Sequence, residues 1–186
     1  MSEALIQEYA QSRGFHSQTL LRWLGWTRPA RKALWRLAVG LKIGENHLRD
    51  LMDWLEEIAL RDQSKIDEIL LSEAITDLES NSRLGRADKL KRIKEEIRRL
   101  RFPRLAEAED SIRVRIQELK LHPQIRLTVP PGLEGGKLQV DLSASSQDEL
   151  KRLTAKLADA AHLDGMREIF DRLAGKVEAS GTKANK

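Results

Sequence analysis

The sequence predicts a mainly α-helical chain with one β-hairpin, and three observations carry that prediction. Charged residues make up 33% of the chain and aromatic ones only 4%, a composition that suits helices with long solvated faces; a sheet protein needs more rings and β-branched residues. Apolar residues recur at spacings of three and four through most of the length. Strict alternation of apolar and polar residues occurs in one place, around residues 124–142, where two short runs flank a Pro/Gly-rich turn.

The elements run in order along the chain. Residues 3–13 read as a first helix, Ser17–Trp26 as a second that Ser17 can cap, and Pro29–Leu41 as a third whose proline suits a first-turn position. In Asn46–Arg61, Leu48, Leu51, Met52, Leu55 and Ala59 share one face. In Ser64–Leu78, Ile66, Ile69, Leu70 and Leu78 do the same, with Ser64 and Asp67 as a capping box. The polar stretch Glu79–Gly85 reads as a hinge. Leu90, Ile93, Ile97 and Leu100 then form a helical seam, which Phe102-Pro103 interrupts and Leu105, Ala108, Ile112, Ile116 and Leu119 continue, the spacing of a helical hairpin or bundle. Strands at Gln124–Val129 and Lys137–Leu142 are joined through Pro130-Pro131-Gly132 and Gly135-Gly136. Two strands alone are not stable in water, so helices or a second copy of the hairpin must cover them. Ser146 and Glu149 form a capping box for a helix carrying Leu150, Leu153 and Leu157, and a last helix carries Met166, Ile169, Phe170 and Leu173.

This pattern divides the chain into an N-terminal helical helix-turn-helix domain (1–80), a basic linker helix (81–103), a helix-hairpin-helix dimerisation module (104–175) and a disordered tail (176–186). Charge supports the division. Residues 1–50 carry eight Lys/Arg against four Asp/Glu, residues 51–80 two against nine, and residues 83–104 ten against three. Two basic zones around an acidic one concentrate positive field where phosphate can be met.

The functional expectation rests on the first two helices. Ala10, Gly14 and Leu20 have the mutual spacing of a helix-turn-helix: a small residue at the helix contact, a glycine for the left-handed corner and an apolar anchor on the second helix. On that reading the second helix is a recognition helix. Ser17 opens it, Gln18, Thr19 and Arg22 face the major groove, and Arg13, Arg28, Arg31 and Lys32 sit near phosphates. The partner implied is double-stranded DNA. The rival reading is a helical protein-interaction adaptor that uses the acidic zone and the Leu90–Leu119 seam, without DNA. Trp23, Trp26, Trp35 and Trp54 read as packing for the small helical domain, with one ring open to base stacking.

Gly40-Leu41-Lys42-Ile43-Gly44-Glu45-Asn46-His47-Leu48-Arg49-Asp50-Leu51 is similar to the stretch G-K-(I/L)-S-E-G-H-A-R-A-L-L that comes after the helix-turn-helix of ParB-type chromosome and plasmid partition proteins. Residues 104–161 also resemble that family's C-terminal dimerisation domain in their order of helix, two strands and helix, with Gly136-Lys137-Leu138 opening the second strand. The resemblance implies a DNA-binding homodimer whose hairpins join into one sheet, non-specific DNA contacts from Arg126 and Lys137, and a partition ATPase as a partner. It does not include the family's nucleotide-binding domain, so it implies no CTP chemistry.

No enzyme, cofactor or metal site is predicted. His16, His47, His122 and His162 are scattered, and no nucleophile, base and orienter stand together in the sequence. Gly132–Lys137 lacks the spacing and the Ser/Thr of a phosphate-binding loop. The chain has no cysteine, no secretory leader pattern and no apolar run long enough to span a bilayer. No membrane is therefore expected as a partner, and the predicted location is the cytoplasm, in association with the nucleoid.

Overall fold

Helix-favouring composition and well-placed stop signals produce ten α-helices and one hairpin among residues 2–176, the part of the chain that the computed structural model describes. The chain forms two units, Met1–Phe102 and Pro103–Lys186.

The first unit contains α1 (Glu3–Ser12), α2 (Ser17–Leu24), α3 (Arg28–Leu41), α4 (Glu45–Asp62), α5 (Ile66–Leu70), α6 (Glu73–Ser80) and α7 (Arg86–Arg101). Thr27 caps α3, accepting from the Ala30 N–H, with Pro29 in the first turn as its fixed φ requires. One core holds the unit together. Ile6, Trp23, Leu34, Leu37, Leu48, Leu51, Met52 and Leu55 are fully buried in it, and Ile93 and Ile97 of α7 join them. Each such side chain contributes about 1.5–3 kcal/mol by leaving water.

Several expectations are corrected here. The basic segment 81–103 does not act as a linker: α7 packs along α3, α4 and α6, because Ile93 and Ile97 supply an apolar stripe that the charge count conceals. The seam does not run on to Leu119, since Phe102 ends α7 and Pro103 opens the next helix in the other unit. The predicted helix 64–78 is two helices broken at Leu71 and Ser72. Its entry box uses Lys65 and Glu68, whose carboxylate reaches back to the Lys65 N–H at 3.4 Å, and not Ser64 and Asp67. The second helix, expected to reach Trp26, stops at Leu24.

The second unit contains α8 (Pro103–Glu118), β1 (Ile125–Thr128), β2 (Gln139–Leu142), α9 (Gln147–Ala161) and α10 (Asp164–Leu173). The strands are antiparallel, with Ile125 opposite Leu142 and Leu127 opposite Val140, so these four share one face. Leu121, Ile125, Leu127, Leu153, Ala160 and Met166 are buried together, and Ile112, Ile169 and Leu173 form a second cluster. Phe170, on the same helix as the buried Met166, Ile169 and Leu173, is 48% exposed. In the loop Pro131–Gly136, Gly136 has φ +59°, and a Cβ there would lie 3.3 Å from the Leu173 carbonyl oxygen, so both the conformation and the close approach require glycine. Ser146 caps α9 as predicted, accepting the Glu149 N–H at 3.1 Å, while the Glu149 carboxylate accepts from the N–H of Ser145 at 2.8 Å. The tail expectation falls almost wholly on residues 177–186, outside the described part.

Tyr9 packs half-buried against the first core. Its ring makes edge contacts with Phe15, Trp23 and Trp35 at centroid distances of 5.8, 6.4 and 5.6 Å. Its hydroxyl lies 2.7 Å from the Ala38 carbonyl and 2.9 Å from that of Ile43. Burial pushes the phenol above its ordinary pKa against the lowering effect of Arg13, so it remains a donor at neutral pH. Tyr9→Phe is expected to lower unfolding free energy by about 1 kcal/mol in urea denaturation. An unchanged midpoint would mean that these carbonyls need no phenol.

Candidate nucleic-acid interface

The corner between α1 and α2 forms as its residues dictate. Gly14 takes φ +68°, its N–H donates to the Gln11 carbonyl at 3.1 Å, and the Phe15 N–H closes back to the Ala10 carbonyl at 2.9 Å. Ala10 is buried and Leu20 packs against the core.

The same corner occurs a second time, 28 positions later, where the sequence pattern gave no expectation of one. Lys42 takes the left-handed conformation (φ 53°, ψ 49°) between α3 and α4, its N–H donates to the Val39 carbonyl at 3.2 Å, and the Ile43 N–H closes to the Ala38 carbonyl at 2.9 Å. Ile6, Ala10, Leu20 and Trp23 correspond to Leu34, Ala38, Leu48 and Leu51, all within or against one core. The signal is present in the sequence, since Ala38, Lys42 and Leu48 repeat the spacing of Ala10, Gly14 and Leu20. Lysine in place of glycine at the corner hides it. Arg13 donates to the Lys42 carbonyl, and the single Tyr9 hydroxyl proton is shared between those of Ala38 and Ile43, so the first corner braces the second.

The starts of α2 and α4 are joined by Glu45. Its Oε1 accepts from the His16 N–H at 2.9 Å and from the Thr19 hydroxyl at 2.6 Å. The Thr19 bond, then the His16 amide, hold the Glu45 carboxyl below its ordinary pKa against the opposing effect of burial. Further along, Arg22 grips α4. Its guanidinium meets both Glu56 oxygens at 3.1 and 2.7 Å and Asp53 at 2.6 Å, and Trp26 Nε1 donates to Glu56 at 2.7 Å. Burial works to raise the Glu56 pKa, but the bonds from Arg22 and Trp26 outweigh it and the net shift is downward.

The structure therefore divides the predicted site residues. Ser17 and Gln18 are exposed on α2 as expected. Thr19, 6% exposed, and Arg22 are turned toward α4 and occupied by carboxylates, which corrects their assignment as groove-facing side chains. Arg28 and Lys32 are exposed on α3. Arg31 is drawn in to Glu3 and to the Leu24 carbonyl. Arg126 and Lys137 are exposed in the second unit, Arg126 opposite Asp141 on the neighbouring strand. Trp23 is buried, and Trp26, Trp35 and Trp54 are half-buried against the same core. The exposed positions of the first turns of α2 and α4 are Ser17, Gln18, Asn46, His47 and Arg49, and Leu21 comes next at 67% exposure.

Among the described residues, no group of three His, Cys, Asp or Glu side chains could hold a metal ion, and no helix is long and apolar enough to cross a membrane. The chain matches no protein-family model, no curated protein and no solved structure.

Arg22 is thus expected to act in stability before recognition. Arg22→Ala should cost about 1 kcal/mol at neutral pH, within the range for a pair one-third exposed. Because the folded-state pKa of Glu56 is depressed, its contribution is present above the ordinary glutamate range and is lost as pH falls through the depressed value. The gap in thermal midpoint between wild type and variant should narrow on acidification. A gap independent of pH would contradict the clasp.

Proposed function

We propose that the chain is a DNA-binding protein that reads duplex through the paired first turns of α2 and α4 and dimerises through its second unit. The observation that carries this reading is the doubled corner. Two helix-turn-helix geometries share one core, and a hydrogen bond of 2.9 Å from the His16 N–H to Glu45 holds their helix starts together. Helix starts favour anions, and at this junction the Glu45 carboxylate takes that place, so phosphate contacts fall to the exposed cations around it. Gln18 and Asn46 have the amide geometry that pairs with adenine, and Arg49 has the fork that pairs with guanine. Lys32, Arg28 and Lys42 are exposed on the same unit as phosphate partners.

The reading moves recognition from Thr19 and Arg22 to the exposed positions around the joined helix starts. It also puts Gly40–Leu51, the stretch that resembles partition proteins, across the second corner. That resemblance extends the proposal to a partition ATPase as partner and to residence on the nucleoid. One observation favours the adaptor reading. Behind the first turn of α4, Asp50, Asp53, Glu56 and Glu57 line successive turns, four carboxylates against the three cations Lys94, Arg22 and Arg101, and the residual negative charge opposes phosphate.

Retardation of random duplex in low-salt gels, lost steeply as salt rises, is the expected result. Asn46→Ala and Gln18→Ala should reduce preference among selected sequences by about 1–3 kcal/mol, whereas Lys32→Ala should weaken all sequences alike. Absence of retardation at low salt would transfer the chain to the adaptor reading.

Dimerisation is supported by the hairpin. Among the described residues β2 pairs only with β1, leaving its outer edge open, and Val140 beside that edge is 39% exposed although it shares a face with the buried Leu127. A second β2 would satisfy the edge and cover Val140. Sedimentation equilibrium should give twice the 21.2 kDa chain mass, and Val140→Lys should shift the chain toward monomer. A wild-type monomer at all concentrations would exclude this role.

A further inference from the structure

We infer that the cleft between α4 and α7 is a docking groove for an acidic helical segment of a partner protein, one that inserts an apolar side chain beside Trp54. The cleft measures about 380 Å³ and belongs to the first unit. Its apolar surface comes from Trp54, Ala87 and Leu90, and Lys91, Lys94 and Arg98 stand along it. These α7 residues fall at helical repeats from 87 to 98, a stripe about 16 Å long at 1.5 Å per residue, or three turns of a partner helix.

Charge selects the occupant. Three cations line the cleft; Arg98 meets Glu95 at 2.8 Å and Lys94 meets Asp50, so its net positive charge is carried by Lys91. Lys94 is fixed at the centre: its Nζ lies 2.7 Å from Asp50, 3.3 Å from His47 Nδ1 and 5.0 Å from the centroid of Trp54. Lys91 is exposed and meets no carboxylate among the described residues. An apolar surface flanked by net positive charge is complementary to a helix with apolar side chains at i, i+4 and i+7 and acids beside them. A phosphodiester backbone would satisfy the cations and leave Trp54 and Leu90 wet, so the protein segment is the better match. Arg86 and Arg92, the exposed α7 cations that phosphate would equally favour, are not part of the cleft.

The test uses the full chain without DNA, so its outcome does not depend on whether the chain binds duplex. The probe is a labelled helical peptide of about four turns with leucines at i, i+4 and i+7 and glutamates elsewhere. Its counterpart carries lysine for glutamate. Binding is read by fluorescence anisotropy and by the indole N–H resonance of Trp54, assigned from its loss in Trp54→Phe. The acidic peptide is expected to bind at least about tenfold more tightly than the basic one and to move that resonance. Lys91→Glu and Ala87→Glu, both at exposed positions, should each weaken it about tenfold with the fold retained by circular dichroism. The proposal is overturned if the acidic peptide does not bind, if both variants bind it as wild type does, or if only a short duplex moves the Trp54 resonance in a manner abolished by Lys91→Glu. That last result would assign the cleft to nucleic-acid backbone.

Discussion

The core of the first unit is fastened across 29 positions of chain by a half-buried contact, the Tyr9 hydroxyl against the Ala38 carbonyl. That carbonyl lies in the last turn of α3 and already accepts the Ile43 N–H at 2.9 Å, and its oxygen has a second lone pair to offer. Tyr9 adds a second donor from a neighbouring helix, and its ring packs edge-on against Phe15, Trp23 and Trp35. The contact therefore joins α1 to the end of α3 and fixes where α4 begins.

Electrostatics explain which α2 side chains remain available. The acidic residues of α4 are an unfavourable run on one helix, and α2 and α7 offset most of it from two sides, with Arg22 from one and Lys94 and Arg101 from the other. Arg22 is held by two carboxylates, and so is not free to leave for a base edge without exposing both. Trp54 gains a second function from the same arrangement, since Lys94 and Arg101 lie over its ring at 5.0 and 5.9 Å. The acidic zone, which in sequence suggests repulsion from DNA, is in the fold an internal fastening for the basic helices around it.

Much of this architecture is legible in the sequence because it is local. Helical periodicity, Pro29 after Thr27, the Phe102-Pro103 break, the two alternating runs and Ser146 before Glu149 each act through residues a few positions apart, and each produces the predicted element. The features that escape a sequence reading depend on contacts distant along the chain. The burial of Ile93 and Ile97 turns a basic helix into a core element. Thr19 and Arg22 turn inward because Glu45 and Glu56 lie 26 and 34 positions away. The second corner is hidden for a different reason: its geometry is carried by Lys42, a residue type that seldom adopts φ above zero, so the habitual glycine marker is absent.

The tandem corners also set a metric. α3 runs unbroken for 14 residues between Thr27 and Lys42, so the second corner stands at the end of a stiff rod that begins at the turn after α2. One residue added to such a rod rotates the downstream corner by about 100° and advances it 1.5 Å. The angular phase between the two presented turns is consequently quantised by chain length. It can drift by substitution only slightly, and by insertion only in jumps large enough to dismantle the shared interior.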